Sequence, residues 1–117
     1  MSEHRIFGTP FAEVYRLYLA KIERKGQQTS DLDVVIEWLT GFSKSEIADH
    51  VAAGTTFRDF FGAARINPSA ILITGRICGV IIQEIEDPLM KQIRYLDKLV
   101  DEVANGRAMG KILRQPT

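Results

Sequence analysis

Hydrophobic residues recur at helical spacing in three stretches of the chain. In residues 32–39 they fall at i, i+3, i+4 and i+7, which is the spacing of one helix face: Leu32, Val35, Ile36 and Leu39. Residues 11–22 and 89–103 carry similar apolar stripes, separated by polar and charged positions. This pattern predicts amphipathic helices whose apolar faces meet in a common core.

Short polar motifs mark where further helices begin. Ser43 and Glu46 have the spacing of a capping box, in which each side chain accepts a hydrogen bond from the other residue's amide. Thr56 precedes an aromatic stretch that suits a short helix, and Asp87 precedes Pro88 at the start of the last stripe. Residues 107–114 retain enough apolar side chains to dock one final turn.

Residues 68–83 are ambiguous between a helix and a hairpin. Ile73, Ile77 and Ile81 are spaced by four, which lines one helix face and favours a buried helix of about four turns. The density of isoleucine and valine favours strands instead, so a hairpin over residues 71–83 remains the alternative. We predict the helix.

Together these elements predict an all-α fold. With 117 residues, the chain suits a single helical domain spanning 1–117. We expect a compact single-domain bundle of about five helices plus a short C-terminal turn. The predicted core includes Val35, Leu39, Phe60, Ile77, Leu96 and Val100.

Charge is balanced overall but uneven along the chain. Fifteen Lys and Arg residues match fifteen Asp and Glu residues, which disfavours nucleic-acid binding because such binding depends on neutralising phosphates. Residues 31–62 carry six acidic and two basic side chains, whereas residues 104–117 carry three basic side chains and no acidic one. We expect this tail to pair with the acidic segment or with a neighbouring subunit. Weak nucleic-acid binding by the first helix and the tail is an alternative.

The remaining composition indicates a cytoplasmic protein. The single cysteine, Cys78, lies among apolar residues, which favours a buried thiol over a nucleophile. The N-terminal residues show no signal-peptide pattern. The apolar stretch at residues 70–82 is interrupted by Thr74, Gly75, Arg76 and Gly79, so no membrane association is expected.

Three carboxylates form the candidate site of this sequence. Glu84, Glu86 and Asp87 could bind a hard cation or act as acid and base. Capping is the favoured interpretation, because Asp87 occupies the N-cap position before Pro88 and negative charge is stabilised near a helix N-terminus. We therefore expect no catalytic residue, no metal ligand and no cofactor.

The chain contains, in this order, the segments WLTGFSKSEI, GTTFRDFF, RICGV and EIEDPLMKQIRYLDKLVDE. Together they resemble a known bacterial family, domain of unknown function 2200. The resemblance extends from about His4 to Arg114. It implies a compact, mainly helical, cytoplasmic bacterial protein and supports the helical choice for residues 68–83. It transfers no activity, cofactor or site residue.

The leading functional interpretation is a non-catalytic helical module that binds a protein partner or self-associates. A small enzyme or divalent-cation binder at residues 84–87 is the alternative, followed by the weak nucleic-acid binder.

Overall fold

The computed structural model describes residues 4–115, and this part of the chain is mostly helical. Its six α-helices are α1 (Phe11–Arg24), α2 (Ser30–Thr40), α3 (Lys44–Ala53), α4 (Phe57–Ala63), α5 (Pro88–Ala104) and α6 (Met109–Ile112). Short 3-10 helices occupy Arg5–Gly8, Pro68–Leu72 and Ile82–Glu84, and a small hairpin pairs β1 (Arg76–Ile77) with β2 (Val80–Ile81). The predicted all-α class is confirmed, because the fold is mostly helical and its sheet is a tiny two-stranded hairpin.

Helix α5 lies at the centre of the packing. It contacts α1, α2, α4, α6 and the hairpin, and its buried stripe runs from Ile93 through Leu96 and Val100 to Val103. Helix α1 contributes a matching stripe that includes Val14 and Ile22. Because the apolar stripes of α1 and α5 face each other, the side chains of both stripes are removed from water.

An aromatic cluster joins the first and fourth helices. The Phe11 and Phe60 rings stack with their centroids 3.9 Å apart and their planes 8° apart. Next to them, the backbone N–H of Phe11 donates to Thr55 O at 2.7 Å, and that of Phe57 donates to Thr9 O at 3.0 Å. These contacts fix where α4 lies relative to the start of α1.

Two predicted helix starts have the expected hydrogen bonds. The Ser43 hydroxyl accepts from the Glu46 amide at 3.1 Å, and the Glu46 carboxylate accepts from the Ser43 amide at 2.8 Å. These two bonds complete the capping box of α3. At α4, the Thr56 hydroxyl accepts from the Asp59 amide at 3.2 Å.

The predicted helix over residues 68–83 is wrong. Asn67 and Pro68 do begin a helical turn, but that turn is a 3-10 helix that ends at Leu72. Gly75, Cys78 and Gly79 then adopt φ angles of 104°, 52° and 79°, which no right-handed helix contains. The chain therefore reverses at Cys78 and Gly79 and forms the hairpin that the isoleucine and valine content had favoured.

The hairpin explains why two residues are less buried than the sequence predicted. Five of the six predicted core residues are fully buried: Val35, Leu39, Phe60, Leu96 and Val100. Ile77 is only half-buried, because it lies in β1 at the edge of the core. Cys78 was expected to be buried and is exposed, because it occupies the tip of the turn.

Candidate functional site

Asp87 caps α5, as the sequence predicted. Its Oδ1 accepts a hydrogen bond from the Met90 amide at 2.9 Å, and Pro88 occupies the first helical turn. Glu84 and Glu86 lie just before this cap, and all three side chains are exposed. Among the described residues, no group of three or more His, Cys, Asp or Glu side chains is placed to hold a metal ion.

We predict that the value of Asp87 is structural. Asp87→Ala should lower the free energy of unfolding by about 0.5–2 kcal/mol, because the Met90 amide loses its acceptor. Asp87→Asn and Asp87→Ser should restore most of this loss, since each keeps an acceptor at the cap. Thermal melts of the parent and the three variants, with and without Mg²⁺ or Ca²⁺, compare their melting temperatures. A rise in the melting temperature of the parent but not of Asp87→Asn on adding the cation would contradict the capping account.

The hairpin beside these carboxylates has an unusual turn. Both central residues, Cys78 and Gly79, have positive φ, as in the type I′ turns that usually contain Asn and Gly. Gly79 adopts this conformation freely, whereas a cysteine there is uncommon. The sequence signal that could have identified the hairpin is a two-residue Cys-Gly loop between β-branched residues.

Hydrogen bonds and buried anchors hold the hairpin against the core. The Gly75 amide donates to Gln83 Oε1 at 3.0 Å, and the Ile82 amide donates to Gly75 O at 2.9 Å. Lys98 of α5 donates from Nζ to Arg76 O at 3.1 Å. Ile73 and Ile82 are buried on either side of the hairpin. The side chains that the hairpin presents outward are therefore held on a fixed backbone.

Apolar side chains are exposed on the hairpin and on the 3-10 helix before it. Ile71, Leu72 and Val80 are 71%, 44% and 37% exposed, and they make up three of the five large hydrophobic residues exposed in residues 4–115. An open cavity of about 360 Å³ lies on the same segment and is lined by Arg76, Gly79, Val80, Ile81, Glu84 and Ile85. We call Ile71, Leu72, Arg76, Val80 and Glu84 the hairpin surface; Ile71 and Leu72 come from the 3-10 helix before the hairpin, and the other three residues line the cavity. Of these five residues, Glu84 alone belonged to the candidate site predicted from the sequence.

A second cavity, of about 380 Å³, lies between α1, α2 and α3. Its lining is mainly apolar and consists of Tyr15, Asp33, Lys44, Ile47, Ala48, Val51 and Ala52. The Tyr15 hydroxyl donates to Asp33 Oδ1 at 2.6 Å. Burial, followed by this hydrogen bond and the Asp33 charge, raises the pKa of Tyr15 above its usual range, so Tyr15 stays protonated. Two of the polar groups of this groove, those of Tyr15 and Asp33, therefore pair with each other.

A polar network connects α1 to α5 near the hairpin. The buried Tyr18 hydroxyl donates to Asp97 Oδ1, and Arg94 Nη1 donates to Asp97 Oδ2 at 2.8 Å. Burial raises the pKa of Tyr18 well above its usual range, with smaller effects from Asp97 and from Cys78. Tyr18 therefore acts as a hydrogen-bond donor between two helices and does not serve as a base.

The basic tail pairs within the chain, but not with the acidic segment at residues 31–62. Arg107 and Arg114 both bind Glu102, a buried carboxylate of α5. Lys21 of α1 pairs with Asp101 at 3.1 Å. A nucleic-acid site on the first helix and the tail would need a stripe of unpaired cations. Two of the basic residues in that stripe, Lys21 and Arg107, already pair with carboxylates.

These features define a small, mostly helical protein with a hairpin and with exposed aliphatic side chains on and just before it. The chain belongs to the family of domain of unknown function 2200, described as an uncharacterized protein conserved in bacteria, whose model matches residues 5–114. It is similar to the crystal structure of the uncharacterized protein SP1917, with 42% identity and a TM-score of 0.90 over 96% of this chain and 93% of that chain. A comparison with curated proteins finds no match. In the described residues, no helix is long and apolar enough to cross a bilayer.

Proposed function

We propose that this protein is a non-catalytic interaction module that binds another protein chain through the hairpin surface. The observation that carries the proposal is the exposure of Ile71, Leu72 and Val80 on a segment anchored by buried residues. Exposed aliphatic clusters rimmed by charge are typical of protein-binding sites, because a partner removes the apolar area from water. The Arg76 and Glu84 side chains line the cavity together with Val80 and supply charged groups beside it.

The two alternatives have less support. An enzyme or cation site at Glu84, Glu86 and Asp87 would need convergent groups in a cleft, whereas these side chains are exposed and Asp87 Oδ1 already accepts from the Met90 amide. A nucleic-acid site on the first helix and the tail would need unpaired cations, and Lys21 and Arg107 are in ion pairs.

The test is a double substitution, Ile71→Ser with Leu72→Ser. We expect the free energy of unfolding to change by about 1 kcal/mol or less, because Ile71 is largely exposed and Leu72 is nearly half exposed. The tagged parent chain, in concentrated bacterial extract, should elute from native size fractionation above the mass of one tagged chain, which is 13.2 kDa without the tag. The double variant should elute as a single chain.

Leu17→Ser is the matched control. Leu17 is 67% exposed on α1, so this change also removes exposed apolar area but leaves the hairpin intact. It should elute as the parent does. A parent chain that elutes as one chain both in extract and after purification would overturn the proposal, as would an unchanged elution of the double variant.

A further inference from the structure

The cavity on the hairpin is lined by one cation and one carboxylate. Arg76 comes from β1 and Glu84 from the 3-10 helix that follows β2, and the apolar residues between them are Val80, Ile81 and Ile85. Both charged side chains are exposed, and within residues 4–115 neither forms an ion pair. The cavity therefore offers one charge of each sign together with three aliphatic side chains.

This arrangement is self-complementary. In a two-fold symmetric contact, if residue i of one copy faces residue j of the other copy, then residue j of the first copy faces residue i of the second. A two-fold axis through the cavity would place Arg76 of each copy opposite Glu84 of the other, and the aliphatic side chains of both copies would lie between these pairs. A partner of one dominant charge would satisfy only one of the two groups.

We infer that a second copy of this chain occupies the hairpin surface, which deepens the proposed function and rests on it. Two Arg76–Glu84 ion pairs fix the register of the contact, and the exposed aliphatic side chains supply its apolar area. The chain carries fifteen basic and fifteen acidic residues, so two copies meet without net repulsion.

The surface available for this dimer is small. A standard protein interface buries about 800 Å² on each partner, which is roughly an eighth of the 6838 Å² surface of this chain. The hairpin surface lies within the 15 residues 71–85, fewer than the roughly 20–30 residues of a standard interface. We therefore expect a weak dimer that dissociates on dilution.

Charge reversal and its repair test the inference. Sedimentation equilibrium of the purified parent over a wide concentration range should give a mass that rises from 13.2 kDa toward twice that value. Arg76→Glu and Glu84→Arg should each raise the dimer dissociation constant by roughly tenfold or more, because like charges then face each other twice. The double variant, with both changes, should regain most of the parent affinity, because its two ion pairs are reversed in direction.

Arg16→Glu and Glu23→Arg are the matched controls, since both positions are exposed on α1 and produce the same changes in net charge. They should dimerise as the parent does, and thermal melts should show that all variants fold. Parent dimers that survive either single reversal, or a double variant that stays monomeric, would overturn the inference. A purified parent that is monomeric throughout would also overturn it. If the chain still elutes above 13.2 kDa in cell extract, the proposed function survives with a different partner.

Discussion

Replacing Leu96 with alanine should lower the free energy of unfolding by roughly 2–5 kcal/mol, one of the two largest effects we expect from a single substitution. Leu96 is fully buried near the middle of α5, where that helix contacts α1 and α2. The substitution removes apolar contacts and leaves a cavity, because the helices on either side can collapse only partly. Urea unfolding measures the loss as a lower midpoint with an unchanged slope.

Leu17→Ala is the control for this substitution. Leu17→Ala makes the same chemical change on α1, but at a side chain that is 67% exposed. The urea midpoint of this variant should therefore stay close to that of the parent. Equal midpoints for Leu96→Ala and the parent would mean that α5 does not pack as described.

Replacing Arg114 with alanine should destabilise the protein by about 3–5 kcal/mol, because it leaves a buried carboxylate without its main partner. Both guanidinium nitrogens Nη1 and Nη2 of Arg114 bind Glu102, and the Nη2–Oε2 distance is 2.7 Å. The Glu102 and Arg114 side chains are only 5% and 15% exposed, so water replaces little of the lost interaction. Thermal or urea unfolding at neutral pH measures the effect.

Arg107→Ala provides a direct comparison, because Arg107 binds the same carboxylate. Its side chain is 52% exposed and its Nη1 lies 3.3 Å from Glu102 Oε2, so its loss should cost no more than about 1 kcal/mol. Replacing both Glu102 and Arg114 with leucine should recover much of the stability lost in Arg114→Ala, since no unpaired buried charge remains. Equal effects of Arg107→Ala and Arg114→Ala would contradict this explanation.

Local patterns predicted the helices well because their signals are short-range. The stripes of α2 and α5, the capping box of Ser43 and Glu46, and the Asp87 cap all depend on residues within one or two turns of each other. The spacing of Ile73, Ile77 and Ile81 misled the prediction because a period of four occurs by coincidence in a segment rich in isoleucine. Positive φ at Gly75, Cys78 and Gly79 is compatible with that same sequence and breaks any helix.

The candidate site was less predictable, because its parts are brought together by the fold. Glu84 drew attention as one of three adjacent carboxylates, yet its neighbour across the cavity is Arg76, eight residues earlier. The exposure of Ile71 and Leu72 follows from where the 3-10 helix ends, which composition does not specify. Likewise, the acidic segment appeared to be the natural partner of the basic tail, but Glu102 is nearer in sequence and buried.

The binding of Glu102 by Arg114 has a consequence for the order of events during protein synthesis. The carboxylate and its partner lie twelve residues apart, with the arginine later in the chain. At roughly 5–20 residues per second, a ribosome takes on the order of one second to add that interval. During this delay the end of α5 carries a carboxylate whose strongest counter-ion has not yet been made. The charge pairing at the end of α5 is therefore completed only after the helix itself has been translated.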